Sequence, residues 1–289
     1  MKTLHKKAMS AAAVALLSGL ACSSVFAEEA AAEAPEASPI TANVTIVNDY
    51  RYRGISQSNF KPAIQGGFDY AHESGFYIGN WNSSISWVSD NAVNAGVKPV
   101  SAPIEMDFYA GIKKELIGEG FASDLGVLQY YYPTSGLTTT ANMVNPNTTE
   151  VYVAQNFTFG PVTGFGKVSY AVSTLFGNVN SSGSYYPDLT LNYDTGVWGL
   201  ALNGHIGYQY VAGNQANKGT YNSVLSNSTL YSYTDWKLGV TKDFGGGLSA
   251  AIAYVGTNAA TVQGGYSYVS PQGKNLGKST GLISLTKTF

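Results

Sequence analysis

Residues 198–210 read WGLALNGHIGYQY, a run in which apolar side chains alternate with polar or small ones. One face carries Trp198, Leu200, Leu202, Gly204, Ile206, Tyr208 and Tyr210, and the other carries Gly199, Ala201, Asn203, His205, Gly207 and Gln209. Because a strand rises ~3.3 Å per residue, Trp198 and Tyr208 would lie ~33 Å apart, which a tilt of ~40° reduces to roughly 25 Å, the height of the apolar band of a membrane β-barrel. The run therefore predicts a membrane-spanning strand.

Segments of similar length and alternation recur along the chain, and each is separated from the next by turn residues. The twelve predicted strands are 42–53, 63–72, 76–88, 104–113, 121–132, 149–158, 162–174, 186–193, 198–210, 231–244, 248–257 and 281–289. Short and long connections alternate without exception, and the longest are 133–148, 211–230 and 258–280. Outer-membrane barrels have an even number of strands, short periplasmic turns and longer extracellular loops. The pattern predicts an all-β protein, a transmembrane antiparallel up-and-down β-barrel over 42–289.

The composition supports this interpretation. Charged residues make up 12% of the chain, against roughly 25% in an ordinary soluble domain, yet the mean hydropathy is only -0.04. There are 21 Tyr, 12 Phe and 33 Gly, a usage that argues against disorder and against a helix-rich enzyme. The formal net charge of -2 offers no basic surface for nucleic acid, so no nucleic-acid partner is expected.

The N-terminus is typical of an exported protein. Lys2, Lys6 and Lys7 precede a short apolar run, and Val25 and Ala27 place small residues before a cleavage site, so 1–27 is predicted to be a cleaved signal peptide. A lipoprotein, cleaved before Cys22, is the alternative. Cleavage after residue 27 leaves no cysteine, and 13 of the 16 basic residues against 18 acidic ones. The Ala-, Glu- and Pro-rich stretch 28–41 is predicted to be a disordered periplasmic leader.

Two sets of apolar residues are predicted to face lipid or guide assembly. The predicted aromatic girdle comprises Tyr77, Trp87, Trp198, Tyr208, Tyr210, Trp236 and Phe244. Phe289 ends the last strand, with Ile283 and Leu285 on the same face, and is predicted to be the signal that the barrel-assembly machinery reads. Lys287 departs from the usual aromatic or aliphatic residue at its position, which costs little near an interface.

Charged side chains on the strands must face the interior, because a charge on the lipid face costs several kcal/mol at mid-depth. The predicted pore-lining residues are Asp49, Arg51, Arg53, Gln65, Asp69, Glu105, Asp107, Asp124, Glu150, Lys167, His205, Asp235 and Lys237. Asp49, Arg51 and Arg53 would follow one strand face at intervals of ~6.6 Å, with Asp69 and Gln65 as their nearest neighbours in sequence. A barrel of twelve strands could be open or plugged.

Enzyme chemistry finds little support. The stretch 273–279, GKNLGKS, lacks the four-residue spacing between glycines of a phosphate loop and precedes a strand. His72 and His205 are the histidines left after signal cleavage, and we expect a turn residue and a lumen polar group, respectively. Neither is placed like the histidine of an outer-membrane lipase. We expect no enzyme, no metal and no cofactor.

Residues 49–57, DYRYRGISQ, are followed by PAIQGGFDY at 62–70 and SGFY at 74–77. These motifs resemble the TorF-type porin family of proteobacterial outer membranes, and the likeness is more specific over 42–88 than beyond. Asn80 stands where that family would have Thr. The resemblance implies an outer-membrane barrel with a pore.

The sequence thus predicts a porin-like channel in the bacterial outer membrane for small polar solutes or ions, with a narrow, charged lumen. Its expected partners are outer-membrane lipid, the barrel-assembly machinery and the solutes themselves. The alternative is a non-conducting structural or ligand-binding barrel that acts through its long extracellular loops.

Overall fold

The computed structural model describes residues 38–96, 100–139, 143–215, 224–262 and 264–289. The predicted signal peptide and most of the predicted leader lie outside the described residues. In chain order the elements are β1 (Ile40–Val47), β2 (Arg51–Tyr52), β3 (Ile55–Ser56), β4 (Ala63–Ala71), β5 (Phe76–Ser84), α1 (Trp87–Asn94), β6 (Ile104–Gly118), β7 (Phe121–Tyr131), β8 (Thr148–Phe159), β9 (Val162–Ala171), β10 (Tyr185–Asp194), β11 (Leu200–Gln209), α2 (Asn227–Tyr231), β12 (Tyr233–Asp243), β13 (Leu248–Thr257), β14 (Thr261–Val262), β15 (Gly265–Tyr266) and β16 (Thr280–Thr288). Because β1 begins at Ile40, the last two residues of the predicted leader belong to the barrel.

Twelve of the described strands form one closed antiparallel barrel. Strands β4 to β13 pair in sequence order, β13 pairs with β16, and β1 closes the barrel between β16 and β4. The twelve strands and the barrel predicted from the sequence are therefore confirmed, with boundaries that shift by a few residues at most of the strand ends.

The connections sort by length to the two ends of the barrel. The turns 72–75, 119–120, 160–161, 195–199 and 244–247 lie at one end, which we call the short-turn end. The described residues of the segments 48–62, 85–103, 132–147, 172–184, 210–232 and 258–279 lie at the other, the long-loop end. The predicted alternation is confirmed, and helices α1 and α2 both belong to long-loop segments.

The barrel is apolar outside and polar inside. On β11 the outward residues Leu202 and Ile206 are 46% and 53% exposed, and outward apolar side chains recur on the other barrel strands. Each aliphatic side chain left in water forgoes about 1.5–3 kcal/mol of burial, so this surface is stable against lipid. No helix within the described parts of the chain is long and apolar enough to cross a membrane.

The first predicted strand, 42–53, is wrong in its second half. β1 ends at Val47, and the side chain of Asn48 caps the edge by accepting from Ile283 N (2.8 Å) and donating to Gly281 O (3.2 Å). The chain then turns into the lumen, where β2 and β3 form a hairpin. Arg53 and Gly54, its two turn residues, have φ of 45° and 78°, the signs required by a type I′ turn. We call 48–62 the inserted hairpin.

The prediction that Tyr77 and Trp87 belong to the aromatic girdle is also wrong. Tyr77 faces the lumen and is 4% exposed, whereas its neighbours Phe76 and Ile78 face outward. Two adjacent aromatics left the strand face ambiguous, and the interior face gives the Tyr77 hydroxyl a partner, Asp124 Oδ1 at 2.7 Å. Trp87 lies beyond the end of β5, because the strand stops at Ser84 and α1 starts at Trp87.

The other predicted girdle residues lie on the outer surface. Trp198 and Phe244 occupy turns at the short-turn end, and Trp198 is 82% exposed with a φ of 54°. Tyr208 and Trp236 are outward on β11 and β12, and Tyr210 stacks on the exposed Tyr185 with ring centroids 4.8 Å apart. Their role as a girdle stays a prediction.

Candidate functional site

The lumen contains every residue that the sequence assigned to it, on two different supports. Asp49, Arg51 and Arg53 lie on the inserted hairpin rather than on a wall strand. The wall contributes Gln65 and Asp69 from β4, Glu105 and Asp107 from β6, Asp124 from β7, Glu150 from β8, Lys167 from β9, His205 from β11, and Asp235 and Lys237 from β12. Whether they line a conducting path stays a prediction.

The base of the inserted hairpin is held by a buried ion pair. Arg51 Nε donates to Asp49 Oδ2 at 2.6 Å, and Ser56 Oγ donates to Asp49 Oδ1 at 2.6 Å. Arg51 Nη1 donates to the carbonyl oxygens of Gly54, at 2.8 Å, and Leu276, at 2.9 Å. The pair thus ties the hairpin to itself and to the loop before β16.

Arg53, at the tip of the hairpin, reaches the wall across the lumen. Its Nη2 donates to Glu150 Oε2 at 2.7 Å, and its Nη1 donates to Gln209 Oε1 at 2.5 Å. The guanidinium carbon lies 4.1 Å from the ring centroid of Tyr186. Because these partners belong to β8, β10 and β11, far from β1 around the barrel, Arg53 acts as a clamp that holds the hairpin across the lumen.

The expectation that Asp69 and Gln65 are the neighbours of Arg51 and Arg53 is therefore wrong. Gln65 donates to Ser83 Oγ at 3.2 Å, and Asp69 accepts from Tyr109 OH at 2.5 Å, both within the β4–β6 wall. The expectation assumed that Arg51 and Arg53 stay on β1, next to β4. Once the chain leaves the wall after Val47, sequence neighbours on β4 lose their proximity.

Aromatic side chains fill the long-loop half of the lumen around the hairpin. Tyr50 OH donates to Glu105 Oε1 at 2.7 Å, and Tyr52 OH lies 2.5 Å from Tyr130 OH. Burial first, and the nearby Glu105 carboxylate second, hold the pKa of Tyr50 well above its usual range, so its hydroxyl stays a donor. Trp87, from α1, packs edge-on against Tyr132, with ring centroids 5.1 Å apart. We call this packed region the lumen plug.

The short-turn half of the lumen is less tightly filled. Asp69, Lys167 and His205 are all partly buried and keep some exposure, which for the His205 side chain is 14%. Lys167 lies opposite Asp188 in the β9–β10 register, which places opposite charges side by side on neighbouring strands. We call this half the vestibule, since charges of both signs remain accessible to solvent there.

A histidine bridges two carboxylates on the vestibule wall. His205 Nδ1 lies 3.0 Å from Asp188 Oδ1, and His205 Nε2 lies 2.8 Å from Asp235 Oδ2. Tyr186 OH also donates to Asp235, at 2.8 Å. Among the described residues no group of three or more His, Cys, Asp or Glu side chains is placed to hold a metal ion.

Two lumen charges escaped the sequence reasoning. Asp188 shares its strand face with Tyr186 and Thr190, and Lys113 lies opposite Asp124 in the β6–β7 register. Both positions follow from the alternation of their own strands, so strict parity counting would have found them. With them, the described part of the lumen carries eight carboxylates and, besides His205, five cationic side chains: Arg51, Arg53, Lys113, Lys167 and Lys237.

Fold and interior together define a membrane β-barrel with a charged vestibule and a plugged long-loop half. The chain belongs to the family described as "Bacterial protein of unknown function (Gcw_chp)", whose model matches residues 30–289. This match does not carry the TorF-type name, which stays a prediction. A comparison with curated proteins gave no match.

Several solved structures are similar to the barrel at low identity. The KdgM porin is 6% identical with a TM-score of 0.47, and the match covers 86% of this chain and 98% of that one. The NanC porin is 9% identical with a TM-score of 0.48 and the same coverage. OccAB1 of Acinetobacter baumannii is 12% identical with a TM-score of 0.43, covering 84% of this chain and 60% of that one.

Proposed function

We propose that the protein is a porin-like channel of the bacterial outer membrane that passes small polar solutes or ions, and that the inserted hairpin forms its constriction. It performs no enzymatic chemistry in this proposal. A cleaved signal peptide exports the chain, and the barrel-assembly machinery inserts it through the strand that ends at Phe289.

The vestibule is the observation that carries this proposal. Charged side chains on several strands, such as Asp69, Lys167 and His205, project into the lumen and keep contact with solvent. A barrel whose interior served only to stabilise it would gain more from apolar packing, because buried ion pairs add little net stability. Retained charges of both signs that keep partial exposure support an aqueous path that admits small hydrophilic solutes.

The lumen plug favours the second candidate, a non-conducting barrel. Arg53 and Glu150 are 6% and 1% exposed at their side chains, so the clamp leaves little open cross-section at that level. Such a barrel would act through its long loops, as a structural or ligand-binding protein. The two candidate functions differ in whether the inserted hairpin leaves or opens a path that solutes can pass.

Planar bilayer recordings on the purified, refolded mature chain test the proposal. We expect small, discrete conductance steps from the wild type and larger steps from Arg53→Met, because that change releases the clamp. Lys61→Met, which removes an exposed cation from the same hairpin, serves as the matched control and should resemble the wild type. Silent bilayers for both wild type and Arg53→Met, from barrels that still shift in gel mobility on heating, would refute the channel and leave the non-conducting barrel.

A further inference from the structure

Asp107 is a buried carboxylate that the rest of the lumen leaves without a donor. Its side chain is on β6 and is 1% exposed, and within the described part of the chain neither Oδ1 nor Oδ2 has a hydrogen-bond partner. Other lumen carboxylates have basic partners: Asp49 pairs with Arg51, Glu150 with Arg53, and Asp235 with His205. An unpaired buried charge is costly, so Asp107 needs either a positive partner or a proton.

A second carboxylate, that of Glu105, adds to the cost of the unpaired charge on Asp107. Glu105 lies two residues earlier on the same inward face, and its carboxylate is close enough to Asp107 to interact with it directly. While both are ionised, the two carboxylates are acceptors only and cannot satisfy one another. Glu105 already accepts from Tyr50 OH, at 2.7 Å, whereas the nearby Arg53 is bonded to Glu150 and Gln209.

The position of this pair fits a site along a path through the lumen. Along β6, Glu105 lies in the lumen plug beside Tyr50, whereas Tyr109, two residues beyond Asp107, bonds to the partly exposed Asp69 of the vestibule. Asp107 therefore lies where the vestibule meets the constriction. Rings or pairs of carboxylates at such places bind cations that must also be able to leave.

We propose that Asp107 and Glu105 form a binding site for a small monovalent cation, Na⁺ or K⁺, at the vestibule side of the constriction. Ca²⁺ takes six to eight oxygen ligands, and no cluster of three or more candidate side chains is present among the described residues. Two carboxylates supply a weaker site, as conduction requires. The site deepens the proposed function and rests on it for its role in permeation.

Thermal unfolding of the full mature barrel in detergent tests binding without any need for conduction. At equal ionic strength, NaCl or KCl should raise the unfolding temperature of the wild type above its value in N-methyl-D-glucamine chloride. Asp107→Asn should lose this shift and, in N-methyl-D-glucamine, be at least as stable as the wild type, because the like-charge repulsion is gone. Asp69→Asn, which alters a lumen carboxylate that has a partner, should keep the shift.

The wild-type salt comparison needs no variant and can overturn the site alone. A wild type indifferent to the cation, or a shift that persists in Asp107→Asn, contradicts it. Stability that follows pH but not the cation would mean that Glu105 and Asp107 share a proton instead, which also overturns the proposal. In bilayers, Asp107→Asn should reduce the preference for K⁺ over Cl⁻. If the barrel does not conduct, the channel proposal fails, and the unfolding data still decide the site.

Discussion

The clamp between Arg53 and Glu150 gives the sharpest prediction. Replacing Arg53 with Met removes the guanidinium but keeps much of its apolar length, so the change isolates the charge and its hydrogen bonds. Glu150 then stays buried with 1% of its side chain exposed and without its cation. We expect the hairpin to leave the wall more often, while the barrel itself remains closed.

The magnitude follows from the burial of both partners. Removing one member of a buried ion pair costs about 3–5 kcal/mol, because the remaining charge is left unpaired. The lost contact with the Tyr186 ring, at 4.1 Å, is part of that figure. Arg53→Met combined with Glu150→Gln leaves no orphan charge, so the double variant should retain a loss of only about 1–2 kcal/mol, from the hydrogen bonds.

Amide hydrogen exchange measures the docking of the hairpin directly. Ser56 N donates to Leu276 O at 3.0 Å and Ser86 N donates to Gln57 O at 2.9 Å, so both amides are protected only when the hairpin is in place. In Arg53→Met their exchange should accelerate by up to roughly two to three orders of magnitude, since 1.4 kcal/mol is about tenfold. Exchange in β11 should not change.

Two results would refute this reasoning. One is acceleration of less than about tenfold in Arg53→Met, which corresponds to under about 1.4 kcal/mol and to an exposed rather than a buried pair. The other is a double variant that exchanges as fast as the single one, since the orphan charge would then not be the cause. Lys61→Met should stay within about 0.5 kcal/mol of the wild type.

Three further changes test the hairpin and the assembly signal. Gly54→Ala should accelerate the exchange of the same amides, at a cost of about 1–3 kcal/mol, because its φ is +78° and an added Cβ would lie 2.4 Å from a wall methyl carbon. Gly96→Ala is the control: its φ is +67° but the space around it is open, so it carries only the backbone strain and should leave the exchange of these amides unchanged. Tyr50→Phe removes the donor to Glu105 and should lower the free energy of unfolding in urea by about 1–3 kcal/mol. Deleting Phe289 should leave protease-sensitive periplasmic protein, whereas Phe289→Tyr should assemble; normal membrane levels after the deletion would exclude a signal role.

The barrel could be predicted from the sequence because two constraints act on every strand. A lipid-facing position rejects charge, and the membrane rejects an open sheet edge with unpaired backbone groups, so alternation and loop length together fix the architecture. Asp188 and Lys113 obey the same alternation.

The inserted hairpin could not be predicted in the same way. Residues 48–53 continue the alternation of β1, with Asp49, Arg51 and Arg53 on one side and tyrosines on the other, so the sequence pattern is that of a longer strand. What ends the strand is the side chain of Asn48, which caps Ile283 N, a contact 235 residues away in the chain. Arg53 and Glu150 are likewise distant in sequence, so only the closed barrel brings them together.

Tyrosines occur on both faces of the wall, and the inward ones have a role of their own. Inward tyrosines donate to lumen carboxylates in pairs that include Tyr50–Glu105, Tyr77–Asp124, Tyr109–Asp69, Tyr130–Glu150 and Tyr186–Asp235. Exposed outward phenylalanines include Phe68, Phe76, Phe108 and Phe159. A tyrosine fills space as an aromatic ring and also supplies a donor that a buried carboxylate requires, which a phenylalanine cannot do. Asp107 lies among these rings without such a donor, and this exception is why a mobile cation, rather than a phenol, is the partner that we assign to it.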